Sequence, residues 1–192
     1  MFTPIWSMID KKAFRTKKRA EIKLLPESYI KGSDELIAEK LSSLPAFISA
    51  DRIFAYYSIG NEVDTHRILK LAEKHRKTVF LPVVLGNGVM EFALYDPAGA
   101  LRSGALHIPE PAEEAMRAIP HKGDVILVPA LCYDADRYRL GQGGGYYDRF
   151  LADCPAVSVG LGRERLMPVS VPRMEHDLPV DILVTEARVF KG

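Results

Sequence analysis

The sequence has only two cysteines, Cys132 and Cys154, among 192 residues, and a single tryptophan. Two thiols cannot build a disulfide framework or a zinc site by themselves, so stability must come from an apolar core. Both are expected to stay reduced, in a cytoplasmic protein. Membrane-length apolar stretches are also missing. Runs such as Val125-Ile126-Leu127-Val128 fall far short of the ~20 residues a spanning helix needs. The start, Met-Phe-Thr-Pro-Ile-Trp, turns basic with no apolar segment or small-residue cleavage site, so no secretory signal is expected. Charge of one sign is not in excess: the formal net charge is +1, which argues against a whole surface devoted to nucleic acid. What is present, 47% hydrophobic and 27% charged residues, is the composition of an ordinary globular chain. With no internal repeat, low-complexity tract or linker, one domain over residues 1–192 is expected.

The basic charge is concentrated. Residues 11–23 carry seven Lys and Arg against one acid, Glu21. Ser7-Met8-Ile9-Asp10 resembles a capping box, so a helix is predicted from Met8 to just before Pro26. Its apolar stripe, Ala13, Phe14, Ala20 and Leu24, is thin, so it packs lightly and offers cations, either to solvent or to a ligand. A second helix is predicted from an N-cap at Ser33 to Leu44. Strands follow at 52–58, 78–85, 89–95, 124–129, 156–161 and 182–185. Helices are predicted at 64–76, 113–119, 146–153 and near 163–167, with a hairpin turn at Gly86-Asn87-Gly88 and a loop over 96–112. Strand–helix alternation implies an α/β fold, a three-layer α/β/α sandwich around a largely parallel sheet.

Leu140-Gly141-Gln142-Gly143-Gly144-Gly145-Tyr146-Tyr147-Asp148-Arg149 dominates the chain. Four glycines in five positions between a strand and a helix let the backbone take φ > 0 and curl successive N–H groups around an anion. A helix N-terminus beyond the loop would add positive potential. The spacing matches neither Gly-x-Gly-x-x-Gly nor a Walker loop. Arg139 can fork onto a phosphate. Asp148 suits either a Mg²⁺ ion held against phosphates or simple complementarity to the helix dipole. Tyr146 and Tyr147 offer faces either to a heterocycle or to the core.

With these residues in view, the chain resembles the 5-formyltetrahydrofolate cyclo-ligase family. The segment from Val128-Pro129-Ala130-Leu131 through Arg139 to Arg149 is close to that family's most specific signature. Lys11-Lys-Ala-Phe-Arg15, Tyr57 to Thr65, Ile108 to Pro111 and Val180 to Glu186 are similar to four further family segments in order. The resemblance implies an ATP- and Mg²⁺-dependent closure of 5-formyltetrahydrofolate to 5,10-methenyltetrahydrofolate, with ADP and phosphate released. The formyl oxygen takes the γ-phosphoryl group and N10 closes the ring. It implies ATP contacts from Lys11, Arg15 and the run Arg139, Leu140, Gly141, Gln142, Gly143, Gly144, Gly145, Tyr146 and Tyr147. Arg139 and Tyr147 would also be catalytic, Tyr57 and Glu62 would bind folate, and Asp148 and Asp181 would hold Mg²⁺. From the residues alone, Glu62 remains open to a turn or N-cap role. Partners are then small molecules, ATP and the folate, with no nucleic acid and no membrane, and a monomer is expected. Two departures stand out: Arg137 where the family often has glycine, and Leu106 near a position where an aromatic is common. An alternative function is a non-catalytic folate- or nucleotide-binding module of the same fold. Such a module would have lost some of Lys11, Arg15, Arg139, Asp148 and Asp181, all of which are present.

Overall fold

The protein is described by a computed structural model covering residues 8–105 and 107–192. Ser7 of the expected capping box and Leu106 lie outside the described residues. The chain begins with α1 (Met8–Lys23), α2 (Glu27–Ser42) and the short α3 (Pro45–Ser49). Then come β1 (Arg52–Phe54), α4 (Thr65–Lys74), the hairpin β2 (Thr78–Gly86) and β3 (Val89–Leu94), and β4 (Arg102–Ser103), β5 (Pro109–Glu110) and β6 (Arg117–Ala118). The remainder is β7 (Val125–Val128), β8 (Cys132–Tyr133), β9 (Arg139–Leu140), α5 (Tyr146–Leu151), β10 (Val157–Leu161), a 3₁₀ turn at Glu164–Leu166, β11 (Ile182–Val184) and β12 (Val189–Lys191).

Eight strands form one sheet in the order β12-β11-β10-β7-β1-β2-β3-β6. The five from β11 to β2 run parallel, and β12, β3 and β6 add antiparallel edges. Because side chains alternate across a strand, the apolar runs serve both faces. Ile53, Val79, Leu81, Val125 and Leu127 pack with Ile37 and Leu41 of α2, Phe47 of α3 and Ile68 of α4. Phe54, Phe80, Phe92 and Ile126 point to the opposite face, where Tyr146, Tyr147 and Phe150 of α5 cover them. This is the expected α/β architecture with a mostly parallel sheet. No helix among the described residues is long and apolar enough to cross a membrane.

Local departures have physical causes. The second helix starts at Glu27, behind Pro26, whose fixed φ of −61° suits a helix entry; Ser33 is interior and bonds its hydroxyl back to the Ile30 carbonyl (2.9 Å). The helix predicted at 113–119 does not form. Arg117 and Ala118 instead add β6 to the open edge of β3, with Ala118 opposite Phe92. The 96–112 loop contains the small β4–β5 pair, and β12, a strand not read from the sequence, closes the other sheet edge.

Candidate active site

Parallel strands send all their carboxyl ends to one rim, and in open α/β sheets ligands bind in the crevice outside those ends. Here the chain leaving β1 (Ile59 to Val63), β7 (Ala130, Leu131) and β10 (Gly162, Arg163) lines a cavity of about 480 Å³, closed on one side by Arg19, Ile22 and Lys23 of α1. The glycine loop rises beside it and contributes Gln142.

The loop is a nest built on left-handed backbone. Gly143 has φ +109° and Gly145, which caps α5, has φ +66°. Positive φ lets neighbouring N–H groups turn to one side, an arrangement able to receive an anion. The helix behind it is only six residues long, so its dipole adds little, and the basic groups of α1 carry the positive potential instead. Arg15 and Lys11 are four residues apart and share a helix face. The Arg15 Nε donates to the Gly141 carbonyl (2.9 Å), and a Cβ on Gly143 would come within 3.4 Å of the Arg15 guanidinium. Arg19 holds Gln142 through its side-chain oxygen (2.8 Å). Lys11 is ion-paired to Asp177, which also accepts from the Met174 N–H (2.6 Å).

Arg139 is buried in β9, and its guanidinium pairs with Asp148 and donates to the Leu178 carbonyl (3.0 Å). Leu140, also buried, lies opposite Cys132 in the β8–β9 pair. Tyr146 and Tyr147 both pack on the sheet with α5, and a Cβ on Gly144 would strike the Tyr146 ring at 2.6 Å. The Tyr147 hydroxyl is buried with no hydrogen-bond partner among the described residues. Burial, reinforced by the negative charge of Glu62, pushes its pKa far above the ordinary phenol range. It can therefore donate a proton in a hydrogen bond but stays neutral.

Glu62 stands at the carboxyl rim after β1. Its carboxylate accepts from the Ile59 N–H (3.0 Å), and burial raises its pKa against that bond. Tyr57 is half-buried, its ring edge-on to His66 at 4.3 Å. Cys132 also lines the cavity, but burial pushes its thiol up to about 12, which leaves no thiolate for nucleophilic work at neutral pH.

Asp181 departs from expectation. It directly precedes β11, and in a parallel strand that position is the amino rim, opposite the glycine loop. Its carboxylate accepts from the Ser158 N–H (2.8 Å) and hydroxyl (2.7 Å), and it borders a separate shallow cavity beside Cys154, Val157 and Lys191. The structure thus brings Lys11, Arg15, Arg139 to Tyr147, Asp148 and Glu62 to one rim but does not join Asp181 to Asp148. Arg137, by contrast, explains itself: it has φ +69°, the conformation glycine would take without strain, and its guanidinium bonds the Val180 carbonyl (2.9 Å).

Among the described residues no group of three or more His, Cys, Asp or Glu side chains could hold a metal. Of the two aspartates expected to hold Mg²⁺, Asp148 is the one at this rim. That donor set fits Mg²⁺, which is commonly held by one or two carboxylates plus substrate phosphates rather than by a protein cage.

One residue that sequence reading did not single out is Arg163. Its side chain, 2% exposed, pairs with Asp34 of α2 and bonds the Ser33 hydroxyl (2.9 Å), the Asn61 carbonyl (2.8 Å) and the Glu62 carbonyl (3.2 Å). Nothing in Gly-Arg-Glu-Arg marks a buried cation; its partners lie more than a hundred residues away.

Fold and rim together define the class: an α/β protein with a doubly covered, mostly parallel sheet and a cleft at the carboxyl ends of the strands. More specifically, the chain is an enzyme of the 5-formyltetrahydrofolate cyclo-ligase family, which residues 8–186 match. A 5-formyltetrahydrofolate cyclo-ligase of Escherichia coli (strain K12) is 28% identical over 160 residues, covering 80% of this chain and 88% of that one. The NMR structure of Aquifex aeolicus 5,10-methenyltetrahydrofolate synthetase superposes with a TM-score of 0.81 at 34% identity, covering 94% of this chain and 92% of that one. A 5,10-methenyltetrahydrofolate synthetase from Mycoplasma pneumoniae shares the fold (TM-score 0.73, 21% identity, 92% of this chain and 99% of that one).

Proposed function

We propose that this enzyme uses ATP and Mg²⁺ to convert 5-formyltetrahydrofolate to 5,10-methenyltetrahydrofolate, releasing ADP and phosphate. The observation that carries the reading is the left-handed glycine nest at the sheet's carboxyl rim, overlaid by Arg15 and adjoining the cleft that Glu62 borders. An amide oxygen is a poor leaving group, and phosphorylation makes it a good one. The formyl oxygen attacks the γ-phosphorus and ADP leaves. The N10 lone pair then attacks the activated formyl carbon, N10 loses its proton and phosphate departs. Phosphoryl transfer asks the protein for positioning and charge neutralisation rather than a covalent nucleophile.

In this scheme the N–H groups of residues 141–145 cradle the phosphates, and Lys11, Arg15 and Arg139 neutralise them. Tyr146 and Tyr147 border the nucleotide, and the Tyr147 hydroxyl donates to a ligand oxygen. Glu62 accepts hydrogen bonds from the pterin amino and ring N–H groups, beside Tyr57. Mg²⁺, held by Asp148 and the phosphates, would neutralise charge on the transferring group. Asp181, bound to Ser158 at the other rim, is left with a structural role. The free thiols Cys132 and Cys154 accord with a cytoplasmic enzyme.

The test mixes purified protein with 5-formyltetrahydrofolate, Mg²⁺ and ATP and follows methenyl absorbance. An ATP-dependent rise is expected; its absence overturns the proposal.

A further inference from the structure

The placement of Glu62 raises a mechanical question. A loop carboxylate that must meet a flat heterocycle edge-on has to be held within a fraction of an ångström, yet residues 55–64 belong to no helix or strand. Glu62 itself is fixed by the turn it closes: its carboxylate accepts the Ile59 N–H (3.0 Å) and its own N–H donates to the Ile59 carbonyl (3.2 Å), with Gly60 at φ +57° between them. That turn is rigid within itself but needs anchoring to the body of the protein.

The anchor is Arg163. It leaves the carboxyl end of β10, and its fork splits between two targets. Toward the core it meets Asp34 and Ser33 of α2; toward the cleft it donates to the main-chain carbonyls of Asn61 and Glu62. Asp34 also accepts from the Asp64 N–H (3.3 Å), so the same acid also holds the chain just beyond the Glu62 turn. A guanidinium suits this: it is planar, permanently charged, and carries five N–H donors in fixed directions, where an ammonium has three on a flexible stem. Burying such a charge is tolerable because every bond it makes is satisfied.

We infer that Arg163 is a positioning residue for folate recognition: its enclosed guanidinium sets the pose of Glu62 toward the cleft through the backbone carbonyls of residues 61 and 62. This inference rests on the cyclo-ligase reading and deepens it. It also separates the site into two halves. The Arg163 side chain bonds the Glu62 turn and α2, whereas the glycine loop is held by other side chains, Arg15 and Arg19 of α1 and Arg149 of α5.

The experiment compares wild type, Arg163→Lys and Ser33→Ala by steady-state kinetics with each substrate varied in turn, alongside thermal melts. Lysine keeps the charge and its pairing with Asp34 but cannot reach two carbonyls at once. Arg163→Lys should raise KM for 5-formyltetrahydrofolate by about tenfold or more, the loss of one well-made charged hydrogen bond, while KM for ATP stays within about twofold. Ser33→Ala deletes the bond to Nε together with the hydroxyl's local bond back to the Ile30 carbonyl, leaves Asp34 and both cleft-side carbonyl bonds in place, and should raise the folate KM by about two- to threefold, again sparing ATP. If Arg163→Lys does not fold, Ser33→Ala decides alone. Equal changes in both KM values, or no change in the folate KM of a folded variant, overturn the inference. Wild-type protein with no ATP-dependent methenyl formation would instead overturn the functional reading, so the two failures are distinguishable.

Discussion

Gly143→Ala probes the nest most directly. Gly143 sits at φ +109°, a conformation that L side chains rarely adopt, and its missing Cβ faces the Arg15 guanidinium at 3.4 Å. Forcing alanine into such a region costs about 1–3 kcal/mol. The contact with Arg15 is ordinary van der Waals distance and adds little, so backbone strain dominates. For a chain of this length 1 kcal/mol shifts Tm by about 2–4 °C, which predicts a fall of about 2–12 °C if the loop keeps its shape. If the loop relaxes instead, the N–H groups splay and ATP binding suffers. Strain must appear in one quantity or the other. The measurements are a thermal melt and an ATP titration, with Gly32→Ala as the control. Gly32 is in the interior of α2 with nothing within 4 Å of its would-be Cβ, so the same chemical change there should stabilise by about 0.5–1 kcal/mol. Wild-type Tm together with wild-type ATP affinity for Gly143→Ala would refute the argument that the loop needs left-handed backbone. A Val at the neighbouring Gly144 is a poorer probe, because its Cβ strikes the Tyr146 ring at 2.6 Å whether or not a nucleotide is bound.

Other substitutions test the rest of the rim. The half-buried carboxyl of Glu62 has its folded pKa held above the ordinary glutamate value by burial, so its ionisation penalises the fold. That penalty is absent at low pH, grows as pH rises past the unfolded value and is complete above the raised folded value. Glu62→Gln should therefore raise Tm at neutral pH, lose that advantage in acid, and weaken 5-formyltetrahydrofolate binding by about tenfold or more; a melt series across pH and a ligand titration check both. Asp148→Asn strips a buried guanidinium of its charge partner and should lower Tm as well as turnover. The cost is about 1–3 kcal/mol, less than for a fully enclosed pair, because Asp148 is 31% exposed. Asp181→Asn should lower Tm by weakening its hold on Ser158 while leaving the Mg²⁺ concentration dependence of turnover unchanged; a shifted Mg²⁺ requirement would return Asp181 to the metal.

Much of the site could be read from the chain because its cues are local. A run of glycines announces positive φ wherever it occurs, and Lys11 and Arg15 share a face because a helix repeats every 3.6 residues. The apolar strands 78–85, 124–129 and 156–161 were legible because burial on both faces leaves uninterrupted hydrophobic runs. The misreadings have the opposite character. Arg117-Ala118 is a strand only because the β3 edge is open to pair with it, and Glu27 begins α2 because Pro26 sets the entry geometry rather than because Ser33 looks like a cap. Tyr147 showed an aromatic ring in the sequence, but that its hydroxyl is enclosed without a partner depends on how α5 lies on the sheet.

By itself, then, the sequence determined the kind of layered fold, the left-handed glycine loop and the basic helix that accompanies it, since each follows from propensities and periodicities spanning a few residues. Only the tertiary structure decided which rim each residue occupies. Asp148 and Asp181 read alike in one dimension, yet one opens a helix above the strand ends and the other stands before a strand start, and parallel pairing places those positions on opposite sides of the sheet. It alone also turned Arg163 from one charge among many into the buried tie between α2 and the Glu62 turn, because a buried cation is defined by what closes around it, and its partner Asp34 comes from 129 residues away.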